Sequence, residues 1–539
     1  MHGLSSEAPG SAKADGFRRV HVAALALAAI MLPWSEFLLS IAQFLLIGNW
    51  LAEGIMRKDL AGRFKRAFTD PPALVFLSFF GLHVLGLLWT EDLQWGTDLC
   101  RILLPVLAFT PVLASVPRLS ATELRTILLL GAWSTVASTL TCMALRYEVV
   151  GNGSYRELSV FISHIRLALL LCFGIAVFVH YARRTPLSLI GHAAGIGWSL
   201  FFLDRLSSLL GLFILGLLFL YAVWHAGQRW NVALRWTSRT ALLIVPVLAF
   251  AYVRGRVVDY TRGDGTDLDH LDVATAGGEV YYHDLHDPQR ENGHYVWIYC
   301  ADKELQRTWE RRSRMAFAGK DAAGQPVRST LIRYLTSMGL RKDSLGVLAL
   351  KDDDVRRIEQ GVTSVVSGRR DPIGARIDQV LYEMEYYRRT GEASGHSVAM
   401  RLEFLRAGSN IARARWLAGV GTGDTRPAFA AEYARMHSTL DERWRLRAHN
   451  EYLTLLISFG IGGLLWALFA WVWPAWRSGA FGRPLFVCWL IIFLVSCVSE
   501  DTIETQPGAT FFALFYTLLV FAAPVLRPAV PIPVAERSA

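Results

Sequence analysis

The sequence predicts an all-α polytopic membrane protein, about twelve transmembrane helices carrying a large, mainly helical loop domain. Three observations lead there. Of the 539 residues, 53% are hydrophobic, and the mean hydropathy is +0.31. Apolar runs of roughly 15 to 20 residues, about the length that crosses a bilayer core, recur along the chain. One long stretch of soluble composition, about 254–447, interrupts them before the last few runs.

In order, the expected spans are 22–31, 37–51, 73–89, 99–116, 124–145, 158–181, 187–203, 207–224, 241–253, 452–473, 485–499 and 510–525. The first two are short, and Pro33 and Glu36 between them leave open a single broken element. The polar leader before them lacks a small-residue cleavage site, so the first run reads as a retained anchor.

Orientation follows from the alternation of Lys and Arg between loops, because cation-rich loops stay cytoplasmic. One set holds Arg18, Arg19, Arg57, Lys58, Arg63, Lys65, Arg66, Arg118, Arg183, Arg184, Arg229, Arg235, Arg477, Arg483 and Arg527. The other is poor in cations and carries Glu91, Asp92 and Asp98, or Glu500, Asp501 and Glu504. Both termini are therefore expected in the cytoplasm and the polar segment outside. The chain divides into a membrane domain at 1–253 with about nine spans, a loop domain at 254–449, and about three spans at 450–539.

Within the loop domain, Tyr281, Tyr282, Tyr295, Trp297 and Tyr299 form an aromatic patch of strand character. Helical periodicity appears at 345–359 and 378–389. From 397 to 416, Val398, Leu402, Leu405 and Ile411 alternate with Arg401, Arg406, Arg413 and Arg415, as in an amphipathic helix. No solenoid repeat or low-complexity tract is present.

Composition also excludes function classes. Five of the six cysteines fall in the spans and only Cys300 in the loop domain, so no disulfide framework is implied. The net charge of +9 is accounted for by anchoring loops, and no nucleic-acid partner is expected. No metal is expected either: His-Glu-x-x-His and paired Cys-x-x-Cys are absent, and the run from Asp264 to Asp269 lacks the later bidentate Glu of a calcium loop.

Chemistry is expected where polar residues meet the ends of spans, since a charge inside a membrane helix costs roughly 3 kcal/mol. His449 lies where the polar segment ends and the apolar run at 453–473 begins, flanked by Arg445 and Arg447. An imidazole there can take a proton near neutral pH. Arg205 occupies a short turn between two spans, where it either binds an anion or snorkels beside Asp204. Arg401 either binds an anion or forms part of a solvated face paired with Glu403. His164 and Arg166, early in the sixth run, either support a site or brace helix packing. Gly419, Gly421 and Gly423 have the spacing of a phosphate nest, but without a strand–turn–helix context a tight turn is the simpler reading.

Taken together, the many spans, the large loop before the last few, Arg205 after a short turn, Arg401 before Gly419-Val-Gly-x-Gly423, and His449-Asn-x-Tyr-Leu453 resemble the O-antigen ligase and polymerase superfamily of membrane glycosyltransferases. The resemblance implies glycan transfer at the periplasmic face of a Gram-negative inner membrane, in lipopolysaccharide and cell-envelope biosynthesis. The donor would be a glycan on a polyprenyl (undecaprenyl) diphosphate, and in the ligase branch the acceptor is a sugar hydroxyl of lipid A-core. It also implies that Arg205 and Arg401 bind the diphosphate and that His449 is the essential histidine; beside these, Asn450, Arg166 and His164 are expected to line the substrate site. No cofactor is implied, because the energy resides in the donor. The insertion at 259–368 has no counterpart with a known job.

Forked guanidinium donors suit a leaving diphosphate without a metal. His449 as general base would give in-line displacement with inversion; its other role would be a hydrogen bond to a phosphate oxygen. A polymerase of the same superfamily and a protein O-oligosaccharyltransferase remain as alternatives. A transporter would call for midplane charges or an inverted repeat, and neither is evident.

Overall fold

The computed structural model describes residues 9–146, 155–182, 185–206, 208–228, 230–262, 265–365 and 372–525. Arg183, Arg184, Ser207, Arg229, Asp264 and Arg527 lie outside these, as do parts of the insertion at 259–368. The described chain is overwhelmingly helical, with one two-residue antiparallel pair, Arg290–Glu291 against His294–Tyr295. Among the described residues nine helices are long and apolar enough to cross a membrane. Shorter apolar helices follow at Pro484–Ser499 and Gln506–Ala522. The chain is an all-α polytopic integral membrane protein.

Several sequence expectations are corrected in detail. The first two runs are separate helices, Pro9–Met31 and Glu36–Met56. Ser35 starts the second by accepting a hydrogen bond from the Leu38 amide, so the polar break is a capped turn. The fourth run is two helices, Leu93–Ile102 and Leu104–Ser115, divided just before Pro105, whose ring cannot follow an unbroken turn. In the loop segment, 345–359 is likewise split into Ser344–Ala349 and Asp352–Glu359. The aromatic patch is mostly irregular, with an isolated bridge joining Tyr282 to Cys300.

The amphipathic segment is the helix Ser397–Ala414, but its buried stripe is not the one its leucines suggest. Ala399, Glu403, Phe404, Ala407 and Ile411 are buried, while Leu402 and Leu405 are exposed. Glu403 can be buried because the Tyr387 and Ser438 hydroxyls donate to its carboxylate.

The described chain groups into two compact units. The first comprises residues 1–223, 407–433 and 447–539, the second 224–406 and 434–446. The first is cored by aromatic and aliphatic side chains such as Phe76, Phe79, Phe109, Phe178, Trp471 and Trp489. The second has its own core around Trp309, Leu331, Tyr334, Leu335 and Ile358.

Within the first unit, the helix Glu451–Arg477 is broken at Gly460, whose φ of 65° and ψ of −172° suit only glycine. A break in an apolar helix frees backbone groups that must find partners inside the protein. The 416–423 loop supplies them. The Val420 and Gly421 amides donate to the Ile457 and Ser458 carbonyls at 2.9 Å each, and the Ile461 amide donates to the Trp416 carbonyl at 2.8 Å. The approach leaves no room for side chains: a Cβ on Gly460 would lie 2.2 Å from the Leu417 oxygen, and one on Gly419 2.3 Å from that of Ser458. Gly460→Ala is therefore expected to destabilise the protein by about 2–5 kcal/mol, combining backbone strain with overpacking. Thermal unfolding of the purified protein in detergent checks this, and a melting temperature equal to wild type would refute the interlock.

Candidate functional site

The mouth of the Glu451–Arg477 helix is built by its cap. Asn450 has extended backbone, and its side-chain oxygen accepts from the Leu453 amide at 2.9 Å. Its amide nitrogen donates to the Val498 carbonyl at 2.9 Å. Both ends of the Asn450 side chain are thus spent on fixing where the helix starts. One residue earlier, His449 is half-buried and has φ of 47°, one of five non-glycine residues in the left-handed region among the described residues. Such a conformation persists only where surrounding contacts impose it. The residues that follow it are held in place: Asn450 by its cap, the Tyr452 hydroxyl by donating to the Leu494 carbonyl at 2.8 Å and the Thr454 hydroxyl by donating to Asp501 at 2.9 Å.

Beneath this mouth the turn at residues 500–505 gathers buried charge. Arg166 is buried, with its guanidinium on Glu500 at 3.3 Å, the Asp501 carbonyl at 3.0 Å and the Thr505 hydroxyl at 3.3 Å. Arg447, two residues before His449, pairs with Glu504 and lies 3.9 Å from Asp501. Glu451 accepts from the Ile503 amide at 3.0 Å. Glu451, Glu504, Thr454, Thr422 and His83 line one small cavity. Burial raises the Glu504 carboxyl to about 7; Arg447 pulls it down and the charge of Asp501 pushes it up.

That shift has a consequence for stability. A carboxyl held above its ordinary range binds its proton more tightly in the folded chain, so its contribution favours folding at acid pH and is lost as pH rises from about 4.5 to about 7. Unfolding measured across that window is expected to show stability falling with pH, and Glu504→Gln is expected to flatten the slope. A wild-type profile that rises through the window would contradict the assignment.

The glycine run is a packing device. The amides of residues 419 to 423 are all satisfied by protein acceptors: the Arg415, Ile457, Ser458 and Gly86 carbonyls and the Thr90 hydroxyl. No donor of that run is left for a phosphate. The Asp424 carboxylate accepts from the amides of Glu91 and Asp92, tying the loop to the start of the Leu93–Ile102 helix.

The other expected residues fall in different places. Arg205 ends the helix Pro186–Arg205, with an ion pair to Asp204 at 3.1 Å and its guanidinium 5.3 Å from the Phe201 ring. Arg401 is exposed on the Ser397–Ala414 helix and belongs to the second unit. His164 opens the helix His164–Tyr181 two residues before Arg166. Arg166, Arg447, Glu451, Asp501 and Glu504 converge with His449 in the first unit. Sequence reasoning passed over the last four as sites: Arg447 read only as neighbouring charge, and Asp501 and Glu504 only as a cation-poor loop. The available signal was an acid at the very start of an apolar run, which membrane burial makes costly without a partner.

No curated protein matches this chain. Residues 353–468, which include the Gly-rich loop, His449 and the Gly460 break, match the family model described as O-antigen ligase. The match supports membership of the O-antigen ligase superfamily and a glycan-transferring, ligase-type function.

Proposed function

We propose that the protein transfers a glycan from a polyprenyl diphosphate carrier to a sugar hydroxyl of lipid A-core, at the periplasmic face of an inner membrane. The acceptor oxygen attacks the anomeric carbon as the bond from that carbon to the diphosphate oxygen breaks. The hydroxyl proton passes to His449, the polyprenyl diphosphate leaves, and the configuration inverts. Arg205 and Arg401 carry the diphosphate charge, guanidinium being suited to paired phosphate oxygens. Asn450 and Arg166 act as positioning residues, the first through the helix cap and the second through the 500–505 turn, and His164 contributes to the substrate site beside Arg166.

The observation that carries this reading is the imposed left-handed backbone of His449 at a capped helix mouth, inside the segment that matches the O-antigen ligase model. Strain of about 1–3 kcal/mol at a titratable residue is expected where its orientation matters. The test is lipopolysaccharide banding in a deletion strain complemented with wild type or with Arg205→Ala or Arg401→Ala, each checked for membrane expression. A ladder restored by wild type and not by either variant is expected. A deletion strain that keeps its ladder would refute the lipid A-core acceptor.

A further inference from the structure

We propose that Arg426, whose guanidinium lies over the indole of Trp95, binds a phosphate oxygen of the anionic substrate at the mouth occupied by His449. The inference rests on the glycan-transfer reading for the identity of that substrate, and on geometry for the site itself. The Arg426 guanidinium carbon lies 3.3 Å from the Trp95 ring centroid, and that of Arg447 lies 5.8 Å from the same ring. Two cations thus share one aromatic ring, and Arg447 stands two residues before His449. Stacking fixes the plane of a guanidinium while leaving its edge N–H groups to donate.

Charge around the ring is distributed unevenly. Arg447 faces Glu504 and Asp501. The acids on the neighbouring helix are engaged elsewhere: Asp98 pairs with Arg101 at 3.0 Å, and Asp92 caps its helix by accepting from the Trp95 amide at 2.9 Å. Asp424, two residues before Arg426, is spent on the Glu91 and Asp92 amides. Among the described residues no acid comes within ion-pair distance of Arg426, although its side chain is on the exposed side of the helix Thr425–Arg435.

The Trp95 indole nitrogen is covered and has no hydrogen-bond partner among the described residues, so a donor stands unsatisfied beside two guanidinium groups. Burial and the charge of Arg447 disfavour the cation at Arg426, and the more distant charges of Glu504, Asp92 and Asp98 offset this only in part. An oxyanion bound at Arg426 would relieve that repulsion. Phosphate fits this better than carboxylate, because its several oxygens can accept from more than one donor at once. It could be the diphosphate of the donor or a phosphate on the acceptor glycolipid.

The experiment measures equilibrium binding to the full-length protein in detergent. Probes are undecaprenyl diphosphate, a phosphate-bearing lipid A-core, and undecaprenol as the phosphate-free control. Arg426→Ala is expected to weaken at least one phosphate-bearing probe by about tenfold or more, Arg426→Lys to fall between it and wild type, and undecaprenol binding to be unchanged. Loss confined to undecaprenyl diphosphate assigns the donor, and loss confined to lipid A-core assigns the acceptor. Should Arg426→Ala not yield folded protein, Arg426→Gln carries the same expectation. Binding of every phosphate-bearing probe within twofold of wild type overturns the proposal. So does a wild type that binds no phosphate-bearing probe better than undecaprenol. No turnover enters the readout, so a chain that binds phosphate through Arg426 yet transfers no glycan would sink the function reading and leave this inference standing.

Discussion

Replacing His449 with alanine is expected to lower glycan transfer by about 10²–10⁴-fold, the range for loss of a positioned general base. Stability should change little or rise slightly. His449 is only half-buried, and alanine at φ of 47° carries the same backbone strain without a large side chain to accommodate. In vitro transfer from a lipid-linked donor to lipid A-core, read beside the melting temperature, separates the two effects. His449→Gln adds discrimination: it keeps hydrogen-bond donation and loses basicity. Activity near wild type in His449→Gln would favour the phosphate-donor role over proton abstraction, while full activity in both variants would remove His449 from the chemistry.

The second large effect is expected at Arg447 and is structural first. Its guanidinium faces Glu504 and Asp501 in a nearly buried setting, both acids being largely buried. Removing one partner of a buried pair leaves uncompensated charge and typically costs about 3–5 kcal/mol. Arg447→Ala should therefore unfold at lower temperature, most markedly above pH 7, where Glu504 would have to carry its charge unpaired. The deficit should shrink at acid pH, because burial already raises Glu504 and loss of the cation raises it further, so protonation relieves the strain. The combination Arg447→Met with Glu504→Gln should recover much of the stability, since neutral partners carry no charge to desolvate. Equal unfolding of Arg447→Ala and wild type above pH 7 would show that the ion pair is not formed in the folded protein.

These expectations draw on different depths of the chain's information. That His449 opens an apolar helix was legible in the sequence, because the step from Arg445-Leu-Arg447 to Leu453-Thr-Leu-Leu-Ile457 is a local change of polarity. The same holds for most helices, since a membrane helix satisfies its own backbone and announces itself by length and hydropathy. The Gly460 break was not legible. Gly460 sits in an apolar run that also holds Gly462 and Gly463, and only the 416–423 loop, returning from about forty residues upstream, decides which of the three interrupts the helix.

Burial of the Ser397–Ala414 stripe shows a similar division. Periodicity correctly indicated a helix there, yet it chose Leu402 and Leu405 for the inside, where the structure places Glu403 and Phe404. An acid is counted as outside by any pattern rule; Tyr387 and Ser438, 16 and 35 residues away, supply the donors that permit its burial.

The sequence by itself determined the class of the protein, the run of its helices and the place where a histidine precedes an apolar helix, because each is a matter of local composition along the chain. Tertiary structure alone decided which charges face one another. Arg166 meets the 500–505 turn across more than 330 residues, and Arg426 meets the ring of Trp95 across a similar span. Ion pairs and stacked rings depend on distance in space, falling away within a few ångströms, and no spacing along the sequence encodes which distant residues will be brought that close.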